Sequence, residues 1–295
     1  MNERITRVGF IGLGTMGDPM SSNIAASGEF DLALFDVDYE RARILADRIG
    51  ATAVERISEL ADREVIVMML PTSAIVRQAL LGDDGEPRIP APPGTVFVDM
   101  SSSDPTETVE TGEALQRAGY AMVDAPVSGA RQRAVEGTLS IMLGADDDAA
   151  AERAIPVIDA MSSHIFRTGG LGTGHAMKAL NNFVAAAAFT ASTEALVAGS
   201  RFGLDPGVMV EVFNASTGQS FVTTHVLPDH IVDGEYASGF ALPLFTKDVR
   251  IAQRVQQAAG HAAPVCDAVA ATMGEALDAL GDVDHTRAFE FWRDR

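Results

Sequence analysis

Cysteine is almost absent: Cys266 stands alone in 295 residues. No intramolecular disulfide can form, and no cysteine-based metal cluster can be assembled. Such a chain suits a reducing compartment. Basic residues are also scarce, 22 Lys and Arg against 41 Asp and Glu, for a formal net charge of -19. A surface this acidic repels phosphate backbones and anionic headgroups, which argues against nucleic-acid and membrane binding. Any anion must then be met by cations gathered locally. No secretory leader is read: MNERITRVGFIG passes from charge straight into an apolar run, without an h-region and small-residue cleavage site. A cytoplasmic protein is expected. The longest apolar stretch, residues 183–198, is broken by Thr190, Ser192, Thr193 and Glu194, and reads as a buried helix and not a membrane span. The histidines are scattered without ligand spacing, so no metal site is expected.

What is present begins with RVGFIGLGTMG. Val8, Phe10 and Ile11 form a short apolar strand, and Gly12, Gly14 and Gly17 follow as G-x-G-x-x-G, with helix-forming sequence after them. The first glycine permits a tight turn, the second lets the backbone approach a diphosphate, and the third lets helix and strand pack closely. The diphosphate would rest on the helix N-terminus, where free N–H groups and the dipole favour an anion. Leu13, Thr15 and Met16 complete this cofactor loop. A second strand over residues 32–35 ends at Asp36, where the fingerprint needs an acid for the ribose hydroxyls. That carboxylate repels a 2′-phosphate, so NAD is favoured, with NADP possible. Arg41 and Arg43, on the helix after Asp38, are read as facing solvent.

Strands at residues 51–54, 65–70, 95–98, 120–123 and 138–143 alternate with helical segments, and a helix over 149–161 and a short strand at 164–166 follow. This spacing predicts a doubly wound parallel sheet of the Rossmann type. Ligands of such sheets bind at the C-terminal strand ends. Leu70, Pro71, Ser101 and Ser102 fall there and are candidate cofactor walls. The loop Asp124-Ala125-Pro126-Val127-Ser128-Gly129 can offer a hydroxyl and backbone N–H groups to a carboxylate.

Residues 172–206 read as one long helix, opened by two glycines and closed by Gly203 and Pro206. Lys178, Asn181 and Asn182 lie over one stripe of it, a cation and two carboxamides on an otherwise apolar surface. Beyond it the sequence shows helical spacing and few strand signals. An N-terminal Rossmann domain (1–167) and a C-terminal all-helical substrate and dimerisation domain (168–295), joined by the long helix, are expected. Phe221 and Phe240 read as core residues.

With the glycine loop, DAPVSG and GTGHAMKALNN in this order, nearly the whole chain resembles the β-hydroxyacid dehydrogenase family, whose members include 3-hydroxyisobutyrate dehydrogenase and, more distantly, 6-phosphogluconate dehydrogenase. The resemblance implies a hydride transfer between NAD(P) and a short β-hydroxyacid or its semialdehyde. By it Lys178 matches the catalytic lysine and Asn182 the substrate-binding asparagine. Ser128 and Gly129 match the substrate-anchoring loop, Lys247 a lysine that reaches the cofactor, and Ser102 the position of a threonine at the nicotinamide ribose. The family's second glycine is replaced by Ala130, followed by Arg131 and Arg133. Arg131 is a candidate second contact to an acidic substrate group, or a solvated cation. The resemblance also implies a homo-oligomer, a dimer or tetramer. An imine reductase on the same scaffold and a non-catalytic nicotinamide-binding regulator are the competing readings. The lysine argues against the first, and Lys178, Asn182 and the Ser-Gly loop together against the second.

Overall fold

Alternation along buried strands decides the first half of the structure. In the computed structural model, which describes residues 5–295, Val65 and Val67 of one strand enter one apolar core while Ile66 and Met68 enter another on the opposite face. A strand covered on both faces must be apolar at every position, and VIVM is.

The strands and helices follow in the order β1 (Arg7–Ile11), α1 (Gly17–Ala26), β2 (Asp31–Phe35), α2 (Tyr39–Ile49), β3 (Thr52–Ala53), β4 (Val65–Met68), α3 (Ser73–Leu80), β5 (Val96–Asp99), α4 (Pro105–Arg117), β6 (Ala121–Asp124), β7 (Val127–Ser128), α5 (Ala130–Glu136), β8 (Leu139–Gly144), α6 (Asp148–Asp159) and β9 (Ser162–Gly169). Capping residues set the helix starts: the Asp38, Thr72 and Asp104 side chains accept backbone N–H groups of α2, α3 and α4. Pro105 occupies the first turn of α4, where its missing N–H costs nothing.

The sheet order is β3-β2-β1-β4-β5-β6-β8-β7, with β9 on β8. The first six strands are parallel and wind outward in both directions from β1 and β4, so the switch point lies between those two. The sheet is not wholly parallel as expected. β8 runs antiparallel to β6 and β7, because it returns from α5 on the same edge. β9 extends over eight residues and continues past the expected boundary at 167.

A third apolar core belongs to helices: α7 (Thr173–Phe202), α8 (Pro206–Ala215), a π-helical segment (Val222–Val232), α9 (Leu242–Ala258), α10 (Pro264–Leu280) and α11 (Ala288–Arg293). Phe189 and Leu196 of α7 meet Leu227, Phe245, Val249 and Met273 there. Each such side chain contributes about 1.5–3 kcal/mol of burial free energy. α7 is long and apolar enough by length and composition to cross a membrane. The π-helical segment carries the chain through Pro228. Phe221, read as core, is instead 71% exposed and stacks on His225. The chain divides into two compact units, one ending at Lys178 and the other spanning Ala179–Arg295, so the division falls inside α7.

Candidate active site

Gly12, Gly14 and Gly17 are bare for three different reasons. Gly12 has φ +92, and a Cβ on it would strike the Met69 carbonyl and the Leu70 side chain. A Cβ on Gly17 would collide with the Gly12 carbonyl oxygen. Around Gly14 nothing lies within 4 Å, so this position opens outward. Tight turn, open crest and close helix packing are what a dinucleotide loop needs. α1 starts at Gly17, and Met16 supplies no side-chain cap to its first N–H groups. Thr15 is exposed and Met16 half-buried, whereas the Leu13 side chain belongs to the core.

Asp36 closes this loop against β2. Its Oδ2 accepts the Leu13 N–H at 2.8 Å and its Oδ1 the Asp38 N–H at 2.9 Å, with the side chain buried. The carboxylate therefore stands beside the glycine turn, as ribose recognition requires. Arg41 does not simply face solvent as expected. Its Nη1 lies 3.3 Å from Asp36 Oδ1, because one turn of α2 brings it back over the end of β2. Arg43 points away and pairs with Glu40 and Asp47.

At the next strand ends, the Leu70 N–H donates to Ser101 Oγ at 2.9 Å. The Ser101 N–H donates to Asp99 Oδ1, and the Ser103 hydroxyl to Asp99 Oδ2. Ser101 is fully buried and ties the loop after β4 to the loop after β5, with half-buried Ser102 and Pro71 beyond it exposed. Asp99 thus shapes the turn that presents Ser102.

Asp124, at the end of β6, plays the same part for α7. Its two oxygens accept the Gly172 and His175 N–H groups, each at 2.7 Å. A carboxylate on a helix N-terminus is favourable both as acceptor and as charge. Burial pushes the Asp124 carboxyl above its ordinary range, against the pull of His175 and the two N–H groups. Gly174 and Gly144 serve this contact. A Cβ on Gly174 would meet the Met142 carbonyl and Asp124 Oδ2, and one on Gly144 would meet Asp124 Oδ1. α7 therefore starts against the C-terminal edge of the sheet, and half-buried Lys178 follows one turn later.

Ser128 ends β7 opposite Ser140, and Gly129 starts α5 with φ +135. Ala130 is left-handed at φ +54, a conformation that glycine adopts without strain. The Arg133 stem lies where a Gly129 Cβ would stand. Arg131 and Arg133 are both exposed, and of the two it is Arg133 whose stem covers the Ser-Gly loop.

In the helical unit, Asn182 is buried and donates its amide to Asp248 Oδ2 at 2.6 Å. Asp248 Oδ1 lies 3.7 Å from Lys247 Nζ. Asn181 is exposed, unlike Asn182, and its amide reaches only Asn182 Oδ1 at 3.4 Å. Lys178 and Lys247 are the only lysines of the chain, against twenty arginines.

Sequence reasoning missed Asp99, Asp124, His175 and Asp248. One signal was readable for Asp248: it falls on the apolar stripe of α9, three residues after Phe245 and four before Ala252, all buried. Nothing local marks Asp99 or Asp124, which look like ordinary strand-end acids. Among the described residues, no group of three or more His, Cys, Asp or Glu is placed to hold a metal ion.

Residues 7–170 match the NAD binding domain of 6-phosphogluconate dehydrogenase, and residues 172–292 the NAD-binding domain of NADP-dependent 3-hydroxyisobutyrate dehydrogenase. The chain is 36% identical to 2-(hydroxymethyl)glutarate dehydrogenase of Eubacterium barkeri, over 85% of this chain and 82% of that one. It is 33% identical to 3-sulfolactaldehyde reductase of Escherichia coli, over 83% and 81% of the two chains. Among solved structures, 3-hydroxyisobutyrate dehydrogenase of Mycobacterium tuberculosis with L-serine is similar, with a TM-score of 0.88 and 29% identity over 98% of this chain and 99% of that one. Two domain matches covering nearly the whole chain, on a glycine loop and a lysine helix of this geometry, establish that the protein belongs to the β-hydroxyacid dehydrogenase family of nicotinamide-dependent oxidoreductases.

Proposed function

We propose that this oxidoreductase interconverts a short β-hydroxyacid and its semialdehyde with Lys178 as general acid–base, and that NAD is its preferred cofactor. The observation that carries the reading is the placement of Lys178. It sits on a helix whose first turn is hydrogen-bonded to Asp124 at the ligand-binding edge of the sheet. The lysine count supports it. Arginine cannot give up its proton, whereas lysine can, and a chain that uses arginine for twenty of its cations keeps lysine at 178 and 247.

The Gly12–Gly17 loop, Asp36, Leu70, Pro71 and Ser102 would hold the dinucleotide, with Lys247 reaching it. The bound nicotinamide accepts or returns the hydride. Lys178 takes the hydroxyl proton in oxidation and returns it in reduction. Asn182, its carboxamide fixed by Asp248, orients the reacting oxygen, with Asn181 at the exposed side of the same helix. Ser128 and Gly129 anchor the carboxylate. Arg131 and Arg133 form no ion pair among the described residues of a strongly acidic chain, which supports a second anionic group on the substrate. The 2-(hydroxymethyl)glutarate for which one relative is named carries two carboxylates. Asp36 favours the free 2′-hydroxyl of NAD, while Arg41 beside it leaves NADP usable. The single cysteine is buried, and we take the enzyme to work in the cytoplasm as a homo-oligomer.

The test is a screen of short hydroxyacids with NAD⁺ and NADP⁺, followed by Lys178→Ala with the best substrate. Loss of kcat by about 10²–10⁴-fold with NADH binding intact is expected. Near-normal turnover of that variant would sink the assignment.

A further inference from the structure

Two carboxylates end neighbouring strands side by side. Asp99 of β5 and Asp124 of β6 are register partners in the parallel sheet, and both are completely buried. Like charges so placed repel strongly in a low-dielectric interior. The His175 imidazole lies within reach of both, its Nδ1 3.6 Å from Asp124 Oδ2 and its Nε2 3.8 Å from Asp99 Oδ2. The ring is itself buried.

Its protons follow from the neighbours. Thr108 of α4 donates its hydroxyl to the Asp104 carbonyl at 3.0 Å, so the Thr108 oxygen is left to accept from Nδ1–H at 2.9 Å. Nε2 is buried and has no hydrogen-bond partner. Bare, its lone pair would face the Asp99 carboxylate. Protonated, it presents a cation to that carboxylate. The groups facing the ring are thus Asp99 from β5, Asp124 from β6 and the Thr108 hydroxyl from α4.

We propose that His175 is a positioning residue of the reaction: an imidazolium held between Asp99 and Asp124 that ties the first turn of the lysine helix to the Ser101–Ser103 turn. Asp99 holds that turn through the Ser101 N–H and the Ser103 hydroxyl. Asp124 holds α7 through Gly172 and His175. The cation joins the two electrostatically. It also precedes Lys178 by three residues on one helix, which makes the two side chains neighbours, with Cβ atoms about 5–6 Å apart. Taking that cation away would leave two carboxylates uncompensated near the lysine, which favours its protonated form over the neutral one that oxidation requires. The inference rests on Lys178 as the acid–base group.

The experiment compares wild type, His175→Gln, Asp99→Asn/His175→Gln and Lys178→Ala. For His175→Gln, kcat falls about 10- to 100-fold with NADH affinity held within about twofold, as for displaced reacting groups. The limb of kcat/KM that rises with pH in oxidation moves to higher pH, a change that loss of fold alone does not produce. The double variant removes the surplus buried charge and regains thermal stability over His175→Gln. In the wild type, ¹⁵N-histidine NMR at neutral pH shows protons on both ring nitrogens of His175, a measurement independent of any variant's folding. An unprotonated ring nitrogen, or a His175→Gln enzyme with wild-type kcat and pH limb, overturns the proposal. A Lys178→Ala enzyme that stays active overturns the acid–base reading beneath it instead.

Discussion

Asn182 and Asp248 are joined by a 2.6 Å hydrogen bond between two buried side chains 66 residues apart in sequence. The asparagine cannot swing to another rotamer without taking its amide donor from buried Asp248 Oδ2. Asp248→Ala should lose about 1–3 kcal/mol of stability, the cost of an unsatisfied buried amide, and raise substrate KM. Asp248→Asn keeps an acceptor oxygen for Asn182 but removes the charge beside Lys247. It should retain stability and weaken NAD⁺ binding. Denaturant melts and steady-state kinetics on the pair separate the two roles, and equal kinetics for Asp248→Asn and wild type would count against the Lys247 cofactor contact.

The glycine loop yields a contrast between neighbours. Gly14→Ala adds a methyl group to open space, so the protein should melt as the wild type does while KM for NAD⁺ rises. Gly17→Ala drives a Cβ into the Gly12 carbonyl, so it should lower the melting temperature as well. Thermal melts with and without NADH read both effects. Unchanged cofactor affinity in Gly14→Ala would argue that the diphosphate does not cross this crest.

Ala130 carries strain at the substrate loop. Its φ of +54 costs an L-residue about 1–2 kcal/mol that glycine does not bear. Part of that gain is lost to the extra freedom of glycine in the unfolded chain. Ala130→Gly should therefore raise stability by up to about 1 kcal/mol, measurable as a urea midpoint shift at constant slope.

Acid should loosen the helical unit through His285. Burial holds this imidazole below its ordinary value, against the Phe240 carbonyl and Asp284. It packs edge-on to Phe189 and Phe245. A base depressed by folding contributes stability that is present above its unfolded value, about 6.5, and is lost as pH falls through the folded one. His285→Asn keeps a donor for the Phe240 carbonyl and cannot titrate. Melts between pH 8 and pH 5 should show a shallower loss for the variant, and parallel curves would exclude His285 as the cause.

Much of this was legible in the sequence, for identifiable reasons. Strands β1, β2 and β4 are apolar at nearly every position, and Asp38, Thr72, Asp104 and Asp205 announce the helices they cap. Lys178 and Asn182 stand out as a polar pair on an apolar helix, and the roles proposed for them come from the resemblance of the motif around them. The antiparallel return of β8 was not, since register partners lie far apart in sequence and a two-residue strand such as β7 has no period to detect. The same reason hid Asp99 and Asp124. Each is one acid at a strand end, and only the pairing of β5 with β6 makes them neighbours. Arg41 is exposed as read, but its reach to Asp36 was not legible, because helix periodicity places a side chain around its axis and says nothing of a long stem folding back on the preceding strand.

The division between the two compact units lies within α7, between Lys178 and Ala179, and not in a loop. A loop forgives a change of length, but a helix counts. Each residue advances about 1.5 Å and turns about 100°. One residue deleted between Lys178 and Asn182 would carry the carboxamide around to the side of the helix where Asn181 now meets solvent. Chimeras that exchange the two units among relatives must therefore keep the residue count through this helix, and are better cut at Gly203, where φ is +101 and no atom crowds the missing side chain. The residue count through this helix fixes the angle between Lys178 and Asn182 around its axis.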